Sequence, residues 1–162
     1  RAEAVDVSII MGRTLFLLAQ RAQRESVEVR NLCKAGEVIA WCDPNRLQQV
    51  LVNLVGNALD AMSEQSQRVL TLSAEVASNG RVLVRVADSG PGLDESVRAR
   101  LFEPFFTTKP PGEGLGLGLA ISQDIVREFG GSLRGEGGFG GAVFTVDLPA
   151  DRSAATAQGS SS

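Results

Sequence analysis

The stretch from Asp88 to Gly118 constrains the fold most, because regular patterning stops there and resumes after it. It holds six glycines and four prolines, whereas the segments on either side repeat as helices or alternate as strands. A loop this long inside a compact domain is usually functional or disordered. We therefore expect the segments around it to form one body that carries a functional loop.

Two segments before the loop have the periodicity of helices. Apolar residues recur at helical spacing over residues 7–25. The second helix is predicted to begin at Asp43-Pro44, because Asp43 can cap the first amides and Pro44 fits the first turn. Its apolar face consists of Leu47, Val50, Leu51, Leu54 and Ala58. A polar stripe lies at the edge of that face and consists of Asn53, Asn57, Asp60 and Glu64.

The first two strands, residues 26–32 and 37–42, are predicted to form a hairpin that turns near Ala35-Gly36. In that register Cys33 lies near the turn and Cys42 at the far end, which disfavours a disulfide. Two cysteines are also too few to stabilise a domain of this size. Reduced thiols in the cytosol are the simplest interpretation.

The remaining strands are predicted as two antiparallel pairs. Residues 68–77 and 81–88 alternate around Ser78-Asn79-Gly80, a turn signal typical of hairpins. A helical pattern over residues 117–131 ends in two glycines and leads to the last pair, residues 131–137 and 142–149.

Charge and composition exclude several classes of function. Acidic residues outnumber basic ones by 19 to 16, and no stretch concentrates positive charge, so nucleic acid is not expected as a partner. Arg13 interrupts the only apolar candidate for a signal peptide or membrane span. The chain has no histidine and therefore lacks the commonest general base and metal ligand.

Three glycine-containing or amide-containing patterns have a chemical interpretation. In DSGPGL, Asp88 can accept from an exocyclic amine such as that of adenine, or it can simply cap its own turn. GEGLGLGL at 112–119 leads into a helix, so its amides can face phosphate oxygens, although glycine loops often only turn corners. Asn53 and Asn57 lie one turn apart. They can belong to a solvated polar stripe, make a buried side-chain hydrogen bond, or provide amide oxygens as hard ligands for Mg2+.

The segment FEPFFTTK at 102–109 places three aromatic rings inside the irregular loop. Exposing Phe102, Phe105 and Phe106 is unfavourable, so we expect them to pin a lid onto the body. Lys109 is one of two lysines in the chain, and it either contacts terminal phosphate oxygens or is solvated.

Taken together, NLVGNALDA, DSGPGL, FEPFFTTK and GLGLGLAI resemble the N, G1, F and G2 boxes of the catalytic and ATP-binding (HATPase) domain of sensor histidine kinases, within the GHKL superfamily. The sequences FEPFFTTK and GEGLGLGLAIS are most similar to the corresponding motifs of the nitrogen-regulatory and C4-dicarboxylate sensor kinases. The resemblance implies an α+β fold. This is a two-layer α/β sandwich (Bergerat fold), with a mixed sheet of about five strands on about three helices and a long glycine-rich ATP lid.

The resemblance also implies roles for individual residues. Asn57 would bind Mg2+ at the ATP phosphates, with Asn53 supporting the same site, and Lys109 would contact phosphate. Asp88 would accept from adenine beside Gly90 and Gly92. The phosphates would be wrapped by Gly114, Leu115, Gly116, Leu117 and Gly118. Asp60, where relatives often carry a basic residue, is included in the site. Gly140 and Gly141 resemble the last glycine box, and the rings that would anchor the lid are Phe102, Phe105 and Phe106.

The implied activity is that of a protein-histidine kinase, an ATP-dependent phosphotransferase of two-component signal transduction. The γ-phosphoryl group would pass to a histidine on a dimerisation domain of the same parent, and a response regulator receiver domain would act downstream. The expected location is cytoplasmic, whether or not the parent is anchored in the inner membrane. The alternative is a nucleotide-sensing GHKL module that binds ATP or ADP without transferring phosphate.

The expected boundaries follow from the same resemblance. Residues 1–6 would be the stub of the missing helical dimerisation domain, residues 7–149 the ATP-binding domain, and residues 150–162 a disordered tail rich in small polar residues.

Overall fold

A computed structural model of the chain describes residues 1–107, 118–138 and 140–155. Its helices are α1 Val7–Arg24, α2 Pro44–Ala61, α3 Glu95–Arg100 and α4 Gly118–Glu128. Its strands are β1 Glu3–Asp6, β2 Glu28–Asn31, β3 Ile39–Cys42, β4 Val69–Val76, β5 Val82–Asp88, β6 Ser132–Gly138 and β7 Gly141–Leu148. Within these ranges, no helix combines the length and the apolar character that crossing a bilayer requires.

The main sheet is mixed and has five strands in the order β2-β4-β5-β7-β6. Only the β2–β4 pair is parallel, whereas β4–β5, β5–β7 and β6–β7 are antiparallel. Helix α2 contacts β5 and lies between α1 and α4, and α4 also contacts β6 and β7. The predicted α+β fold, with about five strands on about three helices, is confirmed.

The core is built around the predicted apolar face of α2. Leu47, Val50, Leu51, Leu54 and Ala58 are all buried. They meet the inward side chains of the central strands, which are Leu70, Leu72, Val82, Val84 and Val86. Burying a side chain of this size contributes about 1.5–3 kcal/mol, so the core fixes the orientation of α2 and with it the polar stripe at its edge.

The predicted hairpin of residues 26–42 is wrong. Strand β2 pairs in parallel with β4, and β3 pairs antiparallel with β1 in a separate two-stranded sheet. The turn near Ala35-Gly36 exists, but it leads from one sheet to the other. Burial explains the separation, because all of β2 is exposed while Ala40 and Cys42 of β3 are fully buried.

Both cysteines are free thiols, as expected, although the hairpin register used to predict this does not exist. Burial, with smaller contributions from Asp43 and Glu3, raises the pKa of Cys42 to about 12, so this thiol stays protonated.

The expectation that regularity stops throughout residues 88–118 is also wrong, because α3 forms inside that stretch. Asp94 caps it by accepting from the amide of Val97 at 2.9 Å. Glu95 lies in its first turn and Arg100 in its last, which suits the helix dipole. Asp94 and Glu95 together form a typical signal for the start of a helix.

Both ends of the chain contain regular structure within the described ranges. Residues 3–6, within the segment predicted as a stub, form β1, and residues 152–155 form one helical turn. Residues 156–162 lie outside the described ranges. The boundaries at residues 6 and 149 stay predictions.

Gly131→Ala tests how α4 returns to the sheet. A Cβ at Gly131 would lie 2.0 Å from the carbonyl oxygen of Asp147 in β7. Because this oxygen belongs to the backbone of a strand, it cannot move away as the end of a flexible side chain can. We expect the free energy of unfolding in urea to fall by about 2 kcal/mol.

The matched control is Gly12→Ala in α1, where nothing lies within 4 Å of the added Cβ. It should raise the free energy of unfolding by up to about 1 kcal/mol. Equal stability of Gly131→Ala and the unchanged protein would contradict the close approach.

Candidate functional site

Helix α2 positions the polar stripe that the sequence predicts. Its start is fixed by Asp43, whose Oδ1 accepts from the amide of Asn45 at 2.8 Å, and by Pro44 in the first turn. Asn53, Asn57 and Asp60 are half-buried at the edge of the core. Glu64, also predicted in the stripe, lies beyond the end of α2 and is exposed.

Asn53 joins α2 to the start of α4. Its Nδ2 donates to the hydroxyl of the buried Ser122 at 3.1 Å. A Cβ at Gly118 would lie only 2.4 Å from Asn53 Oδ1, so the first residue of α4 must be glycine while this amide keeps its position. The predicted phosphate-facing residue Gly118 therefore lies beside the predicted amide pair.

Asp88 lies at the end of β5 with 9% of its surface exposed. Its Oδ1 accepts from the amide of Gly90 at 2.8 Å, which is the turn-capping interaction that the sequence left open. Burial raises the pKa of Asp88, and backbone hydrogen bonds from Gly90 and Ala142 only partly oppose this. A carboxylate has about four acceptor positions, so turn capping and adenine recognition are compatible.

The glycines around Asp88 allow three backbone segments to pack together. A Cβ at Gly90 would lie 2.8 Å from the carbonyl oxygen of Ala61 at the end of α2. A Cβ at Gly141 would lie 1.7 Å from the carbonyl oxygen of Asp88, and Gly92 has a φ of +85°. Gly90 and Gly92 were predicted to admit a ligand, but the close approaches seen here are between backbone segments.

Ser89 is part of this junction and was not singled out in the sequence. Its hydroxyl accepts from the amide of Val69 at 2.8 Å and lies 3.0 Å from the carbonyl oxygen of Gln67. It thereby joins the end of β5 to the start of β4.

Asp60 forms an ion pair with α1. Its Oδ1 accepts from Nη2 of Arg21, whose Nε donates to Glu25 at 2.7 Å. Burial lowers the pKa of Arg21, but the hydrogen bonds with Glu25 and Asp60 outweigh burial and raise it. Arg21 was not predicted as a site residue, because nothing local in α1 indicates its partner on α2.

The three phenylalanines behave differently from one another. Phe102 packs on the core, and the ring of the half-buried Phe106 lies 4.6 Å from the guanidinium carbon of Arg100. Phe105 is 70% exposed and has a φ of +68°, so the expectation that it anchors the loop is wrong. The predictions for Lys109, Gly114, Leu115, Gly116 and Leu117 fall on residues outside the described ranges.

The described residues fit a magnesium ion held mainly by a ligand's phosphates. No three Cys, Asp or Glu side chains in this part of the chain are placed to hold a metal by themselves. Mg2+ usually takes one or two protein oxygens and completes its octahedron with phosphates and water. The half-buried amide of Asn57 provides such an oxygen.

Comparison with known proteins identifies the family. The family described as histidine kinase-, DNA gyrase B- and HSP90-like ATPases matches residues 42–152. The C4-dicarboxylate transport sensor protein DctB of Rhizobium meliloti (strain 1021) is 46% identical over 146 residues, which are 90% of this chain and 22% of DctB. The chain spans less than a third of the length of the curated relatives it matches.

Solved structures agree with this match. The nucleotide-free catalytic domain of histidine kinase ThkA has a TM-score of 0.80 at 28% identity, covering 93% of this chain and 96% of that one. ThkA has also been solved in complex with the response regulator protein TrrA. Full-length ShkA in complex with AMPPNP has a TM-score of 0.79 at 32% identity, covering 91% of this chain and 31% of that one. The chain therefore belongs to the family of histidine kinase-, DNA gyrase B- and HSP90-like ATPases, and within it to the ATP-binding catalytic domains of sensor histidine kinases.

Proposed function

We propose that this domain holds MgATP for transfer of the γ-phosphoryl group to a histidine on the dimerisation domain of its parent protein. The observation that carries the proposal is that both ends of one stretch of α2 meet the predicted ligand-facing segments. Gly118 of α4 lies against Asn53, and Gly90, two residues after Asp88, lies against Ala61. Eight residues of helix separate Asn53 from Ala61 by about 12 Å, which leaves room for adenine at one end and phosphates at the other.

At the adenine end, Asp88 accepts from the exocyclic amine while Gly90 and Ala142 hold the carboxylate in place. At the phosphate end, the amide oxygen of Asn57 would hold the metal, and the first amides of α4 would face the phosphate oxygens. When bound, Mg2+ would neutralise charge on the phosphates. The chain contains no histidine, so the histidine nitrogen that attacks the γ-phosphorus must come from another domain.

Phosphoryl transfer of this kind depends on positioning and charge stabilisation more than on covalent chemistry by the protein. In the transfer, the bond between the γ-phosphorus and the bridging oxygen breaks and a bond to the histidine nitrogen forms, leaving ADP. The complexes of ShkA with AMPPNP and of ThkA with TrrA support a nucleotide ligand and a downstream response regulator. A cytoplasmic location of this portion of the parent is part of the same proposal.

The activity is tested by mixing the domain with the dimerisation domain of its parent and γ-labelled ATP. We expect label on that domain, none on a variant lacking its histidine, and slow or negligible ATP hydrolysis by the domain alone. Hydrolysis should be slow because the resemblance to the N box places Asn53 where hydrolysing members of the superfamily carry an acidic residue that activates water.

Two outcomes would contradict the kinase assignment. Tight nucleotide binding without transfer would favour the nucleotide-sensing alternative. Rapid hydrolysis by the pure domain that Asn53→Ala abolishes would indicate an ATPase instead.

Asp88→Asn should weaken ATP binding about tenfold or more in calorimetry, because a pure acceptor becomes a mixed donor and acceptor. The control is Asp94→Asn, which alters an exposed carboxylate and keeps a good helix cap. In the unchanged protein, affinity should also fall as the pH is lowered through the raised pKa of Asp88, above the ordinary value of 3.8. Asp88→Asn should lose that component of the pH dependence.

The same variant should not be less stable at neutral pH. Because burial raises the pKa of Asp88 in the folded state, the ionised carboxyl reduces stability above that pKa and has no such effect below the ordinary value. Urea unfolding of Asp88→Asn should therefore give an equal or higher free energy of unfolding. A clear loss of stability would mean that weakened binding reports unfolding and not recognition.

Asn57→Ala should reduce the contribution of Mg2+ to ATP affinity. The ratio of affinities with Mg2+ and with chelator should fall by about tenfold, because the variant lacks a direct metal ligand. Asn45→Ala, which removes an exposed amide from the first turn of the same helix, should leave that ratio unchanged. An equal loss of affinity with Mg2+ and with chelator would contradict the metal role.

A further inference from the structure

The ion pair between Arg21 and Asp60 connects α1 to the polar stripe of α2. The two side chains are 30% and 34% exposed, so each is partly shielded from water. Nη1 of Arg21 also lies 3.5 Å from the carbonyl oxygen of Gly56, the residue before Asn57. The guanidinium therefore lies over the last two turns of α2.

Further contacts hold the guanidinium in this position. Glu25 accepts from its Nε, and the carbonyl oxygen of Glu25 accepts from Arg68 at 2.7 Å. Arg68 also donates to the carbonyl oxygen of Ser63, just after α2. The end of α1 is thus fixed to the end of α2, and the planar fork of Arg21 spans two carboxylates.

Asp60 lies between the proposed adenine end and the proposed phosphate end of the site. It follows Asn57 by three residues, about 4.5 Å along the helix axis, and it precedes Ala61, against which Gly90 packs. A nucleotide that reaches from Asp88 to Asn57 passes this carboxylate. Removing the Arg21 cation would make the charge there more negative, which would repel phosphate groups, and the partly shielded setting would strengthen that repulsion.

We propose that Arg21 is a positioning residue that makes α2 compatible with phosphate-bearing nucleotides by holding and neutralising Asp60. This rests on the proposed function and extends it to specificity. The ion pair should matter for ATP and ADP, which carry phosphates, and not for adenosine, which contacts only the adenine end.

The test measures binding of MgATP by calorimetry and of adenosine by NMR titration to the 162-residue chain. Arg21→Gln should weaken MgATP binding about tenfold and leave adenosine binding unchanged, because only the charge facing the phosphates is altered. Arg24→Gln, which removes an exposed arginine from the same last turn of α1, is the matched control and should change neither.

The double variant Arg21→Gln with Asp60→Asn should bind MgATP within about threefold of the unchanged protein, since both charges are gone. Arg21→Lys should restore part of the affinity, because it keeps the charge but not the fork.

Three outcomes would overturn the inference: unchanged MgATP affinity in Arg21→Gln, an equal loss of adenosine binding, or no recovery in the double variant. Failure of the unchanged protein to bind MgATP would instead overturn the proposed function, and this inference with it.

Discussion

Close contacts at the two ends of one stretch of α2 determine where the rest of the site lies. At one end the side-chain amide of Asn53, while it keeps its position, leaves room only for a glycine at position 118, and at the other the backbone carbonyl of Ala61 leaves room only for a glycine at position 90. Neither contact tolerates a Cβ without movement of neighbouring atoms. Because α2 is also fixed in the core by its apolar face, the segments that it contacts inherit a definite position.

Two carboxylates, Asp88 and Asp60, lie beside this stretch of α2, and the burial of Asp88 reduces the stability of the folded protein when its carboxyl is ionised. Asp88 is largely buried, and its ionised form is disfavoured by that burial, yet backbone amides hold it in the orientation that a ligand amine would meet. Asp60 is balanced by a cation from a different helix. Both arrangements are more easily explained by recognition than by folding, since perturbed and compensated carboxylates cluster at functional sites.

Much of the fold could be predicted, and so could the position of Asn53, Asn57 and Asp60 at the edge of the core, because the decisive signals are local. The cap at Asp43, the apolar face of α2 and the Asn-Gly turn act over a few residues, and each formed as expected. The pairing of β2 and β3 could not be predicted, because their partners, β4 and β1, are distant or have no strand signature. Arg21 was missed for a related reason, since 39 residues separate it from Asp60.

The proposed phosphate end of the site is held in part by contacts within the protein. The hydrogen bond from Asn53 to Ser122 joins α2 to the first turns of α4, so the position of these turns does not depend on a ligand alone. Amide donors at a helix start need little reorganisation when they meet an anion, which is the condition for strong electrostatic stabilisation of phosphate charge. A domain built this way can leave the attacking group to a partner, because its own task of orienting the nucleotide and balancing its charge follows from how α2, α4 and the end of β5 pack.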